Sequence, residues 1–130
     1  MEGKPDNTER GPAAPDVRLD LGSGDLGGQG KYILAEVVHQ QGGKTLALRA
    51  DSSCTQHYQI AEKLKVEYPD AEIKVLGGGF LAYFGPEIGN EIEVFDVSTK
   101  YGKEDREVTK QLLAEAFPDR TITELPTSTQ

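Results

Sequence analysis

The stretch "VFDVSTKYGKEDREV", residues 94–108, decides how the fold is interpreted. It begins with the apolar alternation of a strand and ends with a polar segment typical of a helix start. Between the two lie Ser98, Thr99 and Lys100, so the pattern predicts a strand, a short loop and a helix. The backbone amides of such a loop can point into one concavity and bind an anion. A simple capping turn is the alternative, because Ser and Thr are favoured there in any case.

The length and composition suit one compact, acidic domain. The chain has 130 residues and a formal net charge of -8, and its single cysteine, Cys54, forms neither an internal disulfide nor a metal site. We therefore expect no cofactor. No apolar run approaches the ~20 residues of a membrane span, and the N-terminus lacks the apolar core of a secretory signal. We expect a cytoplasmic or nuclear protein, cytoplasmic as the first choice, and a monomer that binds neither membranes nor nucleic acid, since phosphate backbones require a basic surface.

Residues 1–30 are rich in Gly, Pro, Asp and Glu and contain few large apolar side chains. Such a segment buries too little surface to offset the entropy of ordering, so it is predicted to be a disordered tail. Its glycine motifs, "GSGDLG" and "GQGKY", lack the strand and helix that nucleotide-binding glycines require. The domain is predicted to span residues 31–124, followed by a loose C-terminal tail at residues 125–130.

Within this domain, six segments have strand-like composition and two have helical spacing. The predicted strands cover residues 31–39, 45–50, 71–76, 80–85, 91–98 and 120–125. The predicted helices start at Ser52 or Ser53 and near residue 104, and they end before Pro69 and Pro118. Gly77–Gly79 are predicted to form a loop, with a bulge or a close approach as the reason for three glycines. The fold class is therefore α/β, a single domain in which two helices cover one sheet.

His57 is the strongest candidate for chemistry. It precedes Ile60, Ala61 and Leu64 by three, four and seven residues, so it shares the core-facing stripe of the first helix. Burial and the positive helix N-terminus both favour a neutral imidazole, which can act as a base or a nucleophile. The alternative is a buried histidine that is hydrogen-bonded to backbone.

Two basic residues could assist His57. Arg49 ends the strand that leads to the first helix, and its guanidinium fork suits two oxygens of a phosphate. A solvated arginine at a strand end is the alternative. Lys31 begins the first predicted strand and is unremarkable by itself. Cys54 is interpreted as a small buried residue instead of a nucleophile.

Together these residues resemble the protein phosphohistidine phosphatase and Janus family. The matching pieces occur in the family's order and near its spacing across residues 31–123. They are "KYIL" at 31–34, Arg49 with His57 eight residues later, "LGGG" at 76–79, "V...S..YG" ending at Gly102, and the last helix with "FPD..I".

The resemblance implies a mixed sheet flanked by two helices and a metal-independent phosphatase that acts on phosphohistidine in proteins. It implies that His57 is the catalytic histidine and that Lys31 is the active-site lysine, with Arg49 near the site. It also implies that the backbone amides of Ser98–Lys100 hold the phosphate. Histidine-phosphorylated proteins are then the expected partners, with phospholysine as a second candidate substrate. The alternative is a non-catalytic regulatory module that binds phosphoproteins or other anions through the same pocket.

The sequence departs from the family pattern at four positions. Phe80 replaces an arginine of the animal phosphatase, Lys100 replaces a small residue, Arg106 replaces a histidine, and Gln56 replaces a tyrosine. These changes concern substrate preference and rate more than the type of reaction.

Overall fold

The structure is a computed structural model that describes residues 14–22 and 27–126. The strands are β1 (Asp16–Asp20), β2 (Gly27–Val38), β3 (Lys44–Asp51), β4 (Glu72–Phe84), β5 (Glu91–Phe95) and β6 (Thr121–Glu124). The helices are α1 (His57–Glu67) and α2 (Arg106–Ala116), and a short 3-10 turn covers Pro86–Ile88.

The six strands form one mixed sheet in the order β1-β3-β2-β4-β5-β6. The central strands pair antiparallel, whereas β1 runs parallel to β3 and β6 runs parallel to β5 at the two edges. This confirms the predicted α/β class, with one mixed sheet and two helices. Within the described residues, no helix has the length and apolar character needed to cross a membrane.

Each helix covers one face of the sheet, and a hydrophobic core lies under each helix. The core under α1 is built from Ile33, Ala35, Val37, Ala47, Cys54, Ile60, Ala61 and Leu64. The core under α2 is built from Leu21, Tyr32, Leu34, Leu48, Ala50, Leu81, Ile92, Val94, Leu112 and Leu113. The alternating side chains of β2 and β3 supply both cores, because successive residues of a strand point to opposite faces.

The folded region begins earlier than predicted. β1 and the first residues of β2 lie in the segment that was expected to be a disordered tail, so that boundary is wrong. Val17 and Leu19 alternate with charged residues and pack against the core under α2, while β1 pairs with β3. Residues 1–13, 23–26 and 127–130 lie outside the described residues, and the disorder predicted for them stays a prediction. Leu125, placed in the C-terminal tail, donates its backbone N–H to Val94 O at 2.8 Å.

The strands predicted at 71–76 and 80–85 are one continuous strand, β4, which runs through Gly77–Gly79. The expected loop is therefore wrong. The pairing with β2 shifts by one residue, because Leu34 faces Gly77 while Ala35 faces Val75. Leu76 is the extra residue of a β-bulge, which is one of the two reasons considered for the glycines.

Helix α1 begins at His57, later than the predicted start at Ser52 or Ser53. The Gln59 side chain accepts hydrogen bonds from the backbone N–H groups of Thr55 and Gln56 at 2.9 and 3.0 Å. Ser53 instead donates both its N–H and its hydroxyl to Asp51 Oδ1, at 2.9 and 2.6 Å. His57 is thus the first residue of the helix, directly at its positive end.

Candidate functional site

A cavity of about 470 Å³ lies where β2, the start of α1, β4 and the segment after β5 meet. Its size falls within the range of small-ligand sites. We call it the His57 cavity, and its lining includes Lys31, His57, Phe80, Asp96, Thr99 and Lys100. The fold thus brings together four of the residues selected from the sequence: Lys31, His57, Thr99 and Lys100.

His57 is held by one hydrogen bond to the main chain. Its Nε2 lies 2.9 Å from Gly79 O, and the residue is 8% exposed. A carbonyl oxygen can only accept, so Nε2 carries the proton and Nδ1 keeps the lone pair of the neutral ring. His57 therefore combines the two alternatives, since it is bonded to backbone and also faces a cavity.

The surroundings of His57 favour its neutral form. Burial lowers the pKa of His57 below 6.5, and the nearby positive charge of Lys31 lowers it further. The Gly79 carbonyl and the Asp96 carboxylate oppose this shift without reversing it. The imidazole is therefore predominantly neutral at pH 7 and has a lone pair available for chemistry.

Gly78 lets the imidazole lie close to the sheet. A Cβ atom on Gly78 would collide with Tyr32 O and would sit 3.2 Å from His57 Cδ2. Any larger residue would push β4 away from β2 or displace the His57 ring. The "LGGG" segment therefore permits the close approach of the His57 ring to the sheet as well as the β-bulge.

Ser98 holds the loop in shape instead of lining the cavity. Its N–H donates to Gly78 O at 2.9 Å, its carbonyl accepts from Gly102 N at 2.9 Å, and it is 1% exposed. Its hydroxyl accepts from Tyr101 N at 3.1 Å. The expectation that the Ser98 amide binds phosphate is therefore wrong, because that amide already bonds to β4.

Thr99 and Lys100 provide the open part of this loop. Among the described residues, neither backbone N–H has a hydrogen-bond acceptor, and both residues line the His57 cavity. Two unpaired amides beside lysine side chains can bind a tetrahedral oxyanion. Anion binding by these two amides stays a prediction.

Lys31 extends from β2 across the ring of Phe80 on β4. Its Nζ lies 4.1 Å from the centre of that ring, a cation–π distance. Phe80 in turn stacks on Phe95 with ring centres 5.8 Å apart, and its centre lies 6.4 Å from that of the His57 ring. Phe80 stands where the animal phosphatase has an arginine, and its ring contacts the ammonium group of Lys31.

Arg49 lies elsewhere, contrary to expectation. Its guanidinium bonds to the carboxylates of Asp16 and Glu67, each at 2.7 Å, and it lines a separate cavity of about 150 Å³. Although burial acts in the opposite direction, these carboxylates raise the pKa of Arg49. The sequence could not indicate this, because Asp16 belongs to β1, which was predicted to be disordered.

Asp96 is a cavity residue that the sequence analysis missed. It directly follows β5 and has a φ of 61°, a left-handed conformation that few residues other than glycine adopt. In the sequence analysis it was only one residue of the strand predicted at 91–98. Its carboxylate places one negative charge beside His57.

Cys54 does not line the His57 cavity, and no metal-binding cluster is found among the described residues. Cys54 is buried at 8% exposure, and burial raises the pKa of its thiol, in agreement with a packing role. Across residues 14–22 and 27–126, no three His, Cys, Asp or Glu side chains are grouped to hold a metal ion.

The fold and site define an α/β protein with a cavity built around one helix-terminal histidine. A model of the Janus/Ocnus family (Ocnus) matches residues 15–121, and the chain belongs to this family. The match includes β1. The chain is 29% identical over 94 residues to the sex-regulated protein janus-A of Drosophila yakuba and of Drosophila melanogaster. These matches cover 71% of this chain and 68% of each relative.

Proposed function

We propose that this protein is a metal-independent phosphatase that hydrolyses phosphohistidine in proteins. The main support is the His57 cavity, where the imidazole, whose Nδ1 has no hydrogen-bond partner in the described part of the chain, lies with Lys31 and the open amides of Thr99 and Lys100. Phospholysine carries the same type of P–N bond and is the second substrate to test. Histidine-phosphorylated proteins are the partners that this activity requires.

The chemistry of the substrate suits these residues. A phosphoramidate P–N bond is labile, so catalysis depends on positioning and on stabilising charge at the phosphoryl oxygens. The two amides and the ammonium groups of Lys31 and Lys100 would hold those oxygens. Water attacks phosphorus, the P–N bond breaks towards the leaving imidazole, and that imidazole takes up a proton. The products are inorganic phosphate and unmodified histidine.

His57 can act by two routes. As a base, Nδ1 accepts the proton of the attacking water. As a nucleophile, Nδ1 forms a bond to phosphorus, and water later hydrolyses this phosphoenzyme. Rapid quenching with labelled substrate separates the routes, because a phosphoenzyme that forms in wild type and is absent from His57→Gln favours direct attack.

The support for the reaction comes from the site chemistry and not from family membership. The curated relatives are named as sex-regulated proteins, and that name states no reaction. The link to phosphohistidine rests on the motifs "KYIL", "LGGG" and "V...S..YG" and on the His57 cavity.

Turnover of a histidine-phosphorylated peptide by the wild-type protein, His57→Gln and His39→Gln tests the proposal. His39 is the matched control because it is the other of the two histidines. Its Nε2 lies 2.8 Å from Thr45 Oγ1, and the residue is outside the cavity lining. Loss of a base or nucleophile is expected to slow turnover by about 10²–10⁴-fold. We expect His39→Gln to match wild type.

Each reaction is repeated with a chelator. Equal turnover by wild type and His57→Gln would remove His57 from the mechanism. Loss of wild-type turnover in chelator would contradict the metal-independent route. A phospholysine peptide in the same assay decides whether the second substrate is accepted.

A non-catalytic module that binds phosphoproteins is the second candidate. The lysine side chains and the amides of Thr99 and Lys100 favour it, because they can bind a phosphoryl group without the help of a reactive imidazole. Binding of a histidine-phosphorylated peptide without turnover would support this candidate. Turnover that depends on His57 would reject it.

A further inference from the structure

A buried ion pair lies on the opposite face of the sheet from His57. Glu104 and Arg106 stand at the start of α2, and their side chains are 0% and 3% exposed. Arg106 Nε donates to Glu104 Oε2 at 3.1 Å. A buried pair of this kind is weak support for stability, so its position raises the question of another role.

Glu104 is fixed by three donors. Its Oε2 accepts from the hydroxyls of Tyr32 and Thr109, each at 2.6 Å, in addition to Arg106. Tyr32 belongs to β2 and Thr109 to α2, so the carboxylate is tied to both elements. Glu104 therefore offers Arg106 an anchor with little freedom to move.

Arg106 uses its other end to hold two main-chain carbonyls. Its Nη2 donates to Asp96 O and lies 3.4 Å from Gly78 O. Gly78 belongs to the glycine run against which His57 packs, and Asp96 begins the loop that carries Thr99 and Lys100. One guanidinium group thus joins the two backbone segments that form the His57 cavity.

The same junction is reinforced by main-chain bonds at Gly78. Its N–H donates to Gly102 O at 3.0 Å, and its carbonyl accepts from Ser98 N at 2.9 Å. Gly79 leaves space for the guanidinium, since a Cβ atom there would lie 2.7 Å from Arg106 Nη2. The fit of Arg106 against one face of the sheet therefore depends on the same glycine run that admits His57 on the other face.

We propose that Arg106 is a positioning residue that acts from the α2 face of the sheet. It fixes the 96–102 loop against β4 and so sets the placement of the Thr99 and Lys100 amides relative to His57. Arg106 does not line the cavity. The activity readout of this inference rests on the proposed function, whereas its binding and titration readouts do not.

Arg106→Met combined with Glu104→Gln is the main test variant. The double change avoids leaving a buried carboxylate without its partner, and the amide oxygen introduced by Glu104→Gln can still accept from the two hydroxyls. Arg106→Lys is the second variant, because it keeps the charge but has only one nitrogen, which cannot bond Glu104 and the two carbonyls as Nε and Nη2 of the guanidinium do.

Arg120→Met is the matched control. Arg120 also caps a carbonyl of β4, with Nη1 2.8 Å from Phe84 O, and its guanidinium lies 4.0 Å from the Tyr83 ring centre. Phe84 is the last residue of β4, and it does not line the His57 cavity. A general loss of sheet stability would affect both proteins alike.

Four quantities are measured well below the unfolding temperature of each variant. They are the affinity for inorganic phosphate, the pKa of His57 by NMR, and kcat and KM with the phosphohistidine peptide. We expect the double variant to bind phosphate at least about tenfold more weakly, with KM raised more than kcat is lowered. The pKa of His57 should rise towards 6.5, because a loosened loop admits water to the ring. Arg106→Lys should lie between the double variant and wild type.

Wild-type phosphate affinity and a wild-type His57 pKa in the folded double variant would overturn the inference. Equal changes in Arg120→Met would also overturn it, since the effect would then be general. If wild type hydrolyses no phosphohistidine, the proposed function fails. The phosphate affinity and the His57 pKa would still decide the role of Arg106.

Discussion

Two buried arginines of this molecule have similar surroundings and different consequences. Arg49 and Arg106 are 5% and 4% exposed, and each bonds at least one carboxylate and one main-chain carbonyl. Arg49 joins β1 to the C-terminal end of α1, through Asp16 and Glu67. Arg106 joins β4 to the loop that lines the His57 cavity. The first connects elements of the scaffold, and the second connects elements of the site.

The comparison teaches that the partners of an arginine, more than its place along a strand or helix, determine its role. Arg49 lies eight residues before His57 and at a strand end, which favoured a role in phosphate binding. Its fork is instead engaged by a carboxylate 33 positions earlier in the chain. Arg106 lies at a helix start, where a solvated side chain is common, yet it is nearly enclosed.

Replacing Arg49 with Met is expected to have the largest effect on stability. It would leave Asp16 and Glu67 without their main partner, and breaking a buried pair costs about 3–5 kcal/mol. Their side chains are 26% and 30% exposed, so we expect the lower end of that range, about 3 kcal/mol. Denaturant unfolding measures this change, and turnover per folded molecule should stay at the wild-type level.

Arg18→Met is the matched control for this substitution. Arg18 also pairs with Glu67, at 3.3 Å, but its side chain is 59% exposed. Such a surface pair contributes about 0–1 kcal/mol, so the control should change stability little. A change in phosphate affinity in folded Arg49→Met would contradict the assignment of Arg49 to the scaffold.

Replacing Phe80 with Leu is expected to have a smaller effect, confined to the cavity. The change removes the ring beneath the Lys31 ammonium, and a cation–π contact of this kind contributes about 0.5–1 kcal/mol. We expect phosphate affinity to fall by roughly two- to fivefold. Isothermal titration with inorganic phosphate measures the loss. Phe84→Leu, on the same strand but outside the cavity lining, should retain wild-type affinity.

The smallest expected effect is a pH dependence of stability that arises from His57. Because burial lowers the pKa of His57 in the folded protein, the unfolded chain binds more protons as pH falls below 6.5. The stability contribution of the neutral ring is therefore complete above pH 6.5 and decreases from there towards the folded pKa. The free energy of unfolding, measured with urea between about pH 5 and pH 8, should depend less steeply on pH for His57→Gln than for wild type. Equal slopes would contradict the shifted pKa.

The sequence predicted the number of strands through two errors that offset each other. β1 was missed because a five-residue strand in a Gly- and Pro-rich segment carries only two apolar positions, Val17 and Leu19. β4 was divided because three consecutive glycines interrupt the strand pattern that tertiary pairing with β2 restores. Strand propensity depends on residues that are neighbours in the sequence. The pairing of β4 with β2 joins residues far apart in the chain, and it overrides the low strand propensity of the glycines.

The candidate site was predictable where one element determines the geometry. The face of α1 placed His57 with Ile60, Ala61 and Leu64, and all four are buried. The roles of Ser98 and Arg49 were not predictable, because each depends on a partner far along the chain, Gly78 or Asp16. The same holds for Arg106, whose carbonyl partners lie on β4 and after β5.

The Asp96 carboxylate, which is carried on a left-handed backbone, makes the pKa of His57 adjustable through one position. Replacing Asp96 with Asn keeps a residue type that tolerates this conformation, and it removes the negative charge that opposes the lowered His57 pKa. A glycine there would relax the main chain as well. A substitution at this one residue would therefore shift the pKa of His57 without changing the strands of the sheet.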